Sequence, residues 1–200
     1  MSPHESVAKD RRRAVAESHP PDEPGLIDRI AQGDMGAFDK LYRLYHPRLT
    51  RFLINLIRRP HLVEDVLNDT MLVVWTHPGS FNGMSKVSTW IFAIAYRKAQ
   101  RALRRQDDPV EDKRAEFRAS ADADPEHQTG LRQVQEVLRD AINSLSADHR
   151  AVVDLTYFHE VGYREIAEIM DCPVDTVKSR MHYARRRLRN MLDGRLVDWL

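Results

Sequence analysis

A run of basic residues occupies positions 171–190, DCPVDTVKSRMHYARRRLRN, and its side chains could bind a polyanion. The segment carries Lys178, Arg180, Arg185, Arg186, Arg187 and Arg189, with no carboxylate after Asp175. Its apolar residues are spaced by four, three and four positions, at Val177, Met181, Ala184 and Leu188. This spacing predicts an amphipathic helix with a narrow apolar stripe and a broad cationic surface.

Three roles are compatible with this basic segment taken alone. A solvated surface is the ordinary role of a charged run, although such surfaces usually mix both signs. A helix lying on a membrane needs bulky apolar side chains opposite its charges, and this stripe is too narrow for that. A helix that binds nucleic acid agrees with both the sign and the asymmetry of the charge.

The residues before the basic helix complete a helix–turn–helix pattern. Pro173 is tolerated only in a first helical turn, so the second helix is predicted to begin near Val174. The residues predicted to pack between the two helices are Ile166, Ala167, Met170, Val177 and Met181. In this motif the first side chains of the second helix reach base edges in the major groove. The predicted base contacts are Lys178, Ser179 and His182, and the predicted phosphate contacts are Arg185, Arg186 and Arg189, with Arg180 also assigned to DNA.

The formal net charge of +1 hides a strong segregation of charge along the chain. Residues 86–106 hold six basic residues and no acid, and residues 176–192 are again purely basic. Between them, residues 107–126 hold eight acidic residues against three basic ones. Two cationic segments separated by an anionic one predict two nucleic-acid contacts joined by an acidic linker.

The elements that must position these residues are predicted to be helices throughout, because apolar residues recur at helical spacing and no strand-like alternation persists. We therefore predict an all-α protein of two small helical domains on a flexible acidic linker. Pro47 is expected to mark a break within the first domain. The predicted divisions are a disordered extension (1–23), a first domain (24–106), a linker (107–130), a second domain (131–192) and a tail (193–200).

Several functional classes lack the residues that they require. The single cysteine, Cys172, excludes a disulfide framework and a cysteine-rich zinc site. The glycine-rich phosphate loops and nucleophile motifs of common enzymes are missing, and HEVGY at 159–163 lacks the second histidine of a zinc protease. We expect no enzyme activity, cofactor or metal. No apolar run is long enough to span a membrane, so we expect a cytoplasmic protein without membrane insertion.

The stretch LSADHRAVVDLTYFHEVGYREIAEIMDCPVDTVKSRMHYARRRLR resembles region four of bacterial RNA polymerase sigma factors of the extracytoplasmic-function (ECF) group. In that family this domain recognises the minus-thirty-five promoter element. The resemblance assigns base recognition to Lys178, Ser179 and His182. Asp175 departs from the family, which often has glycine there.

The segment VEDVLNDTMLVVW, residues 63–75, resembles the region-two helix of the same family. That helix docks on the clamp coiled coil of the largest polymerase subunit. The positions matched are Asp65, Asn68, Asp69, Met71 and Trp75. Acidic residues beside apolar ones suit a basic partner helix, although Met71 and Trp75 could equally belong to the core.

The segment FNGMSKVSTWIFAIAYRKAQRALRR, residues 81–105, resembles the family's element for minus-ten recognition and promoter melting. An aromatic residue followed by arginines could stack one unpaired base and hold the backbone of a single strand. The residues assigned to this role are Lys86, Trp90, Arg97, Arg101 and Arg104. Trp90 could instead be a core residue. The family often has Asn in place of Arg97 and Asp in place of Arg101, so affinity for the strand is better supported than any promoter sequence.

Together these resemblances imply an ECF sigma factor that directs promoter-specific transcription initiation. The partners implied are core RNA polymerase, through the clamp coiled coil and the beta flap, promoter DNA, and an anti-sigma factor. The alternative is a stand-alone helix–turn–helix regulator that binds an operator as a dimer.

Overall fold

The computed structural model describes residues 22–106 and 138–196. The helices bounded within these ranges are α1 (Glu23–Ala31), α2 (Met35–Ile57), α3 (Pro60–Thr76), α4 (Val87–Gln106), α5 (Ala147–Tyr157), α6 (Tyr163–Met170) and α7 (Val174–Leu196). Pro78–Ser80 form a short 3₁₀ helix, and residues 138–143 are also helical. No strand occurs in the described ranges, and the all-α prediction is confirmed. The predictions for residues 1–21, 107–130 and 197–200 lie outside them.

Short polar side chains fix where several helices begin. Asp22 accepts a hydrogen bond from the Gly25 amide at 3.1 Å, and Asp34 accepts one from the Ala37 amide at 3.0 Å. Ser146 caps α5 by accepting a bond from the His149 amide, as its sequence position predicts. Such caps satisfy backbone donors that have no partner within the first helical turn.

Helix α2 is the central element of the first unit and runs without a break through Pro47. The predicted break at this proline was therefore wrong. A proline inside a helix costs about 3 kcal/mol. Burial of one large apolar side chain returns about 1.5–3 kcal/mol, and α2 buries such residues on both sides of the proline, including Leu41, Leu49, Phe52 and Leu53.

The second unit is built around α6 and α7, with α5 packed against both. Its core contains Val152, Leu155, Ile166, Val177 and Met181, each at most 2% exposed. The inward orientation predicted for the helix–turn–helix residues is confirmed. Helix α7 continues to Leu196, four residues beyond the predicted end of the second domain.

The two units pack directly on each other. Helix α2 contacts α5, and α4 contacts α6. The buried apolar side chains of both units form one continuous cluster. A core shared in this way holds the helix–turn–helix at a defined place on the first unit.

Candidate nucleic-acid interface

The turn between α6 and α7 sets the angle at which the basic helix is presented. Asp171 ends α6 in the left-handed conformation, with φ of 50°, which aspartate tolerates better than most residues. The Cys172 amide then donates to the Ala167 carbonyl at 3.0 Å. Ala167 is itself buried, and its small side chain lets the helices approach closely. The outer surface of α7 is thereby left open to solvent.

Six of the residues assigned to duplex DNA are exposed on α7, namely Lys178, Ser179, His182, Arg185, Arg186 and Arg189. The structure therefore gathers them on an accessible surface of one helix. Lys178 forms an exposed ion pair with Asp175 at 2.9 Å, which is compatible with exchange for a DNA partner. Arg185 donates to the Tyr157 hydroxyl at 3.1 Å, and this hydrogen bond raises the pKa of Arg185.

Arg180, the seventh residue assigned to duplex DNA, is oriented differently. Its side chain is only 24% exposed and forms an ion pair with Asp148 of α5 at 2.5 Å. Its guanidinium also lies 3.6 Å from the Cys172 sulfur. In this arrangement Arg180 holds α7 to the rest of its own domain.

The residues assigned to melted DNA line one side of α4 and the loop before it. Arg97, Arg101 and Arg104 are exposed. Trp90 is half-buried, with its ring centre 5.5 Å from that of Phe81, so it packs on the first unit and also presents part of its ring. Lys86 is 69% exposed and forms an ion pair with Glu165 of α6.

The loop between Phe81 and α4 presents a residue that sequence reasoning missed. Gly83 has φ of 72°, a conformation that favours glycine. The Asn82 carboxamide oxygen accepts a hydrogen bond from the Met84 amide at 3.0 Å. Met84 is left 88% exposed, the most exposed large apolar side chain among the described residues. The sequence signal that could have indicated the exposure of Met84 was its position next to Gly83 in the loop.

Helix α3 divides the residues assigned to polymerase contact. Asp65, Asn68 and Asp69 are exposed, and Asp69 pairs with Lys98 of α4 at 3.0 Å. Trp75 is half-buried against Phe38, with ring centres 5.3 Å apart.

Met71 is 2% exposed and lies in the core, so it offers no surface to a partner. Its neighbour Leu72 is 57% exposed on the outside of α3. Burial therefore removes Met71 from the exposed surface of α3, and Leu72 supplies an exposed apolar group on that surface.

The described residues contain no cluster of His, Cys, Asp or Glu able to hold a metal ion. Within the same ranges, no helix has the length and apolar character required to cross a membrane.

Comparison with known proteins identifies the family. Residues 41–108 match Sigma-70 region 2, and residues 135–188 match Sigma-70, region 4. An ECF RNA polymerase sigma-E factor of Haemophilus influenzae is 30% identical over 180 residues, which cover 85% of this chain and 95% of that protein. The chain belongs to the ECF sigma factors of the sigma-70 family. RNA polymerase sigma-H factor of Pseudomonas aeruginosa is 29% identical over 183 residues, covering 86% and 95% of the two chains.

Solved structures agree with the fold of this sigma factor. The sigma factor RpoE of Bartonella quintana, in complex with the anti-sigma factor NepR, has a TM-score of 0.62 at 28% identity and covers 78% of this chain and 96% of its own. CnrH in complex with the cytosolic domain of CnrY has a TM-score of 0.63 at 22% identity, covering 86% and 98% of the two chains.

The match to region 2 decides between the two hypotheses drawn from the sequence. A stand-alone helix–turn–helix regulator needs only the second unit, whereas a sigma factor needs both regions in this order. The chain is a sigma factor and acts in DNA-templated transcription initiation. Members of this family are generally non-enzymatic initiation factors.

Proposed function

We propose that α7 enters the major groove at the minus-thirty-five element of the promoter. Lys178, Ser179 and His182 contact base edges there, since they lie in the first turns of the second helix of the motif. Arg185, Arg186 and Arg189 contact phosphates and fix the register of the helix on the duplex. The observation that carries this proposal is the exposure of all six side chains on one helix.

The loop before α4 and the exposed side of α4 hold the melted strand of the minus-ten element. Opening a base step costs a few kcal/mol, and stacking returns about 1–3 kcal/mol per base. Capture of one or two unpaired bases would roughly balance the opening cost. Trp90 and Met84 supply surfaces for the bases, and Lys86, Arg97, Arg101 and Arg104 supply charge for the backbone.

Helix α3 docks on the clamp coiled coil of core RNA polymerase. Its exposed carboxylates, Asp65 and Asp69, lie beside Asn68 and the apolar side chain of Leu72. An apolar centre rimmed by charge is the usual composition of a specific interface. The second unit contacts the beta flap, and no step of this function requires catalysis by the sigma factor.

An anti-sigma factor controls the chain, and the protein works in the cytoplasm with its polymerase. The support for this control is the similarity to RpoE, which was solved with its anti-sigma factor NepR.

Transcription with core polymerase on a library of promoters tests the base contacts. Lys178→Ala should change the base preference in the minus-thirty-five element. The expected change in the binding free energy that discriminates between bases is about 1–3 kcal/mol for each base pair that Lys178 contacts. Lys40→Ala is the matched control, because it removes the same charge from an exposed position on α2. An unchanged base preference in Lys178→Ala would refute the placement of α7.

A further inference from the structure

A groove runs along the outside of α2, beside the segment that follows α5. It has a volume of about 610 Å³ and is lined by residues of α2 between His46 and Asn55 and by Phe158. Ligand sites commonly have volumes of about 300–1,000 Å³. The lined part of α2 is only about 14 Å long, which suits a small molecule better than a protein partner. None of the lining residues belongs to the surfaces proposed above for DNA or polymerase.

The walls of this groove offer apolar surface to a ligand. Pro47 and Phe158 are exposed, and Ile54 is half-buried. Phe158 leaves 46% of its surface in contact with solvent, although its side chain is large and apolar. A ligand with an apolar body would remove this surface from water, which is favourable.

One guanidinium supplies charge to the groove. Arg51 is exposed, and its guanidinium carbon lies 4.3 Å from the ring centre of Phe158. In the part of the chain that the structure describes, no carboxylate forms an ion pair with Arg51, and no Asp or Glu lines this groove. A guanidinium stacked on a ring is held in place, and its planar fork of N–H donors is available for an anion.

An unpaired hydroxyl lies next to this cation along the chain. The Thr50 hydroxyl oxygen is shielded from solvent and has no hydrogen-bond partner. Three other helical threonines, Thr70, Thr76 and Thr156, each donate to the carbonyl four residues earlier at 2.7–2.8 Å. A helical threonine has two favoured χ1 rotamers, so a change of rotamer turns the hydroxyl towards a ligand. The new hydrogen bond would remove the cost of an unsatisfied polar group.

A second, smaller depression of about 320 Å³ adjoins the groove and shares Pro47, Arg51 and Phe158 with it. Its lining includes one acid, Glu160, and a further cation, Arg48. The two arginines therefore outnumber the acid along the combined surface, and the balance of charge favours an anionic ligand.

We propose that this groove binds a small organic carboxylate that carries an apolar, aromatic body. The carboxylate accepts hydrogen bonds from the Arg51 guanidinium and the Thr50 hydroxyl. The body packs against Pro47, Ile54 and Phe158. A planar carboxylate matches the guanidinium fork, which donates two parallel hydrogen bonds. This small-molecule site is additional to the surfaces proposed for DNA and polymerase and does not depend on them.

Titration of the isotope-labelled full chain with phenylbutyrate, followed by nuclear magnetic resonance, tests the site. A ligand of this size should bind with a Kd on the order of 1 mM. Saturable shifts should be confined to backbone amides that line the groove, including those of Arg51 and Phe158. Phenylbutyramide lacks the charge and acetate lacks the apolar body, so each should bind about tenfold more weakly or less. Shifts that do not saturate, shifts centred on α7, or equal binding of either control compound would overturn the proposal.

Arg51→Gln tests the cation, and Arg43→Gln is its matched control. Arg43 is exposed on the same helix, outside the groove, where it pairs with Asp39 at 2.9 Å. Arg51→Gln should raise the Kd for phenylbutyrate about tenfold, while Arg43→Gln should leave it unchanged. Wild-type affinity in Arg51→Gln, or an equal loss in both variants, would show that the groove is not the site.

Thr50→Val tests the hydroxyl and separates binding from stability. The variant keeps the shape of the side chain, and the free protein loses no hydrogen bond, so the free energy of unfolding should not fall. The Kd for phenylbutyrate should nevertheless rise about tenfold. Thr76→Val is the matched control, because its exposed hydroxyl lies outside the groove, and it should bind as wild type does. Wild-type affinity in a folded Thr50→Val protein would overturn the assignment of this hydroxyl to the ligand.

Discussion

Replacement of Arg186 provides a quantitative test of how α7 is held on DNA. Arg186 is exposed on α7 and is proposed to contact a phosphate, so Arg186→Ala should remove one counterion-releasing contact. Each such contact contributes about −0.9 to the slope of log affinity against log salt concentration. The affinity of each protein for DNA falls as salt rises from about 50 to 200 mM, which is a fourfold change. Over this range the factor by which affinity falls should be about 3.5-fold smaller for Arg186→Ala than for wild type.

The assay is binding of labelled promoter duplex by the reconstituted holoenzyme over this salt range. Polymerase contacts with DNA are common to all variants, so they cancel in the comparison with wild type. The expected result is weaker binding to every promoter sequence tested, with a slope that is shallower by about one unit.

Two control variants separate a local contact from a change in total charge. Arg43→Ala removes the same charge from an exposed ion pair on α2 and should leave the slope unchanged. Ser179→Ala removes no charge and should change base preference at constant slope. If Arg186→Ala retained the wild-type slope, or if Arg43→Ala reduced it equally, the assignment of Arg186 to a phosphate would be refuted.

Two further predictions concern the second domain. Ile166→Ala should reduce the free energy of unfolding by about 2–5 kcal/mol, because Ile166 is fully buried between α6 and its neighbours. Leu138→Ala, at a partly exposed site, should reduce it much less. Chemical denaturation measures both losses, and similar losses in the two variants would contradict the assignment of Ile166 to the core. Burial raises the pKa of the Cys172 thiol, so less thiolate is present at a given pH, and alkylation of the folded protein should have its midpoint at higher pH than alkylation of the denatured chain. A midpoint at or below that of the denatured chain would show that Cys172 is not shielded.

Helix α3 illustrates why the exposed surface that we propose for polymerase docking could be predicted only in part. Its residues 71–75 are all apolar, so the apolar side of the helix is wider than a single core-facing stripe. Successive residues point about 100° apart, and the neighbouring helices select which of them are buried. The structure buries Met71 and exposes Leu72. The acidic positions Asp65 and Asp69 were predictable because a carboxylate is rarely buried.

The amino-acid sequence determined the features that depend on neighbouring residues. Helical periodicity, the Ser146 cap and the turn before Val174 specified the helix–turn–helix, and the run of cations without acids on α7 specified its outer surface. These are local properties, since side chains three or four positions apart share one side of a helix.

Only the tertiary structure decided how the two units meet. Asp148 meets Tyr96 across 52 positions, and Asn55 meets Asp154 across 99. No local pattern marks such pairs, because each depends on the packing of α2 and α4 against α5 and α6. Within the second unit, the packing of α7 against α5 brought Arg180, an expected DNA contact, to Asp148, since a partly buried guanidinium is stabilised by a nearby carboxylate.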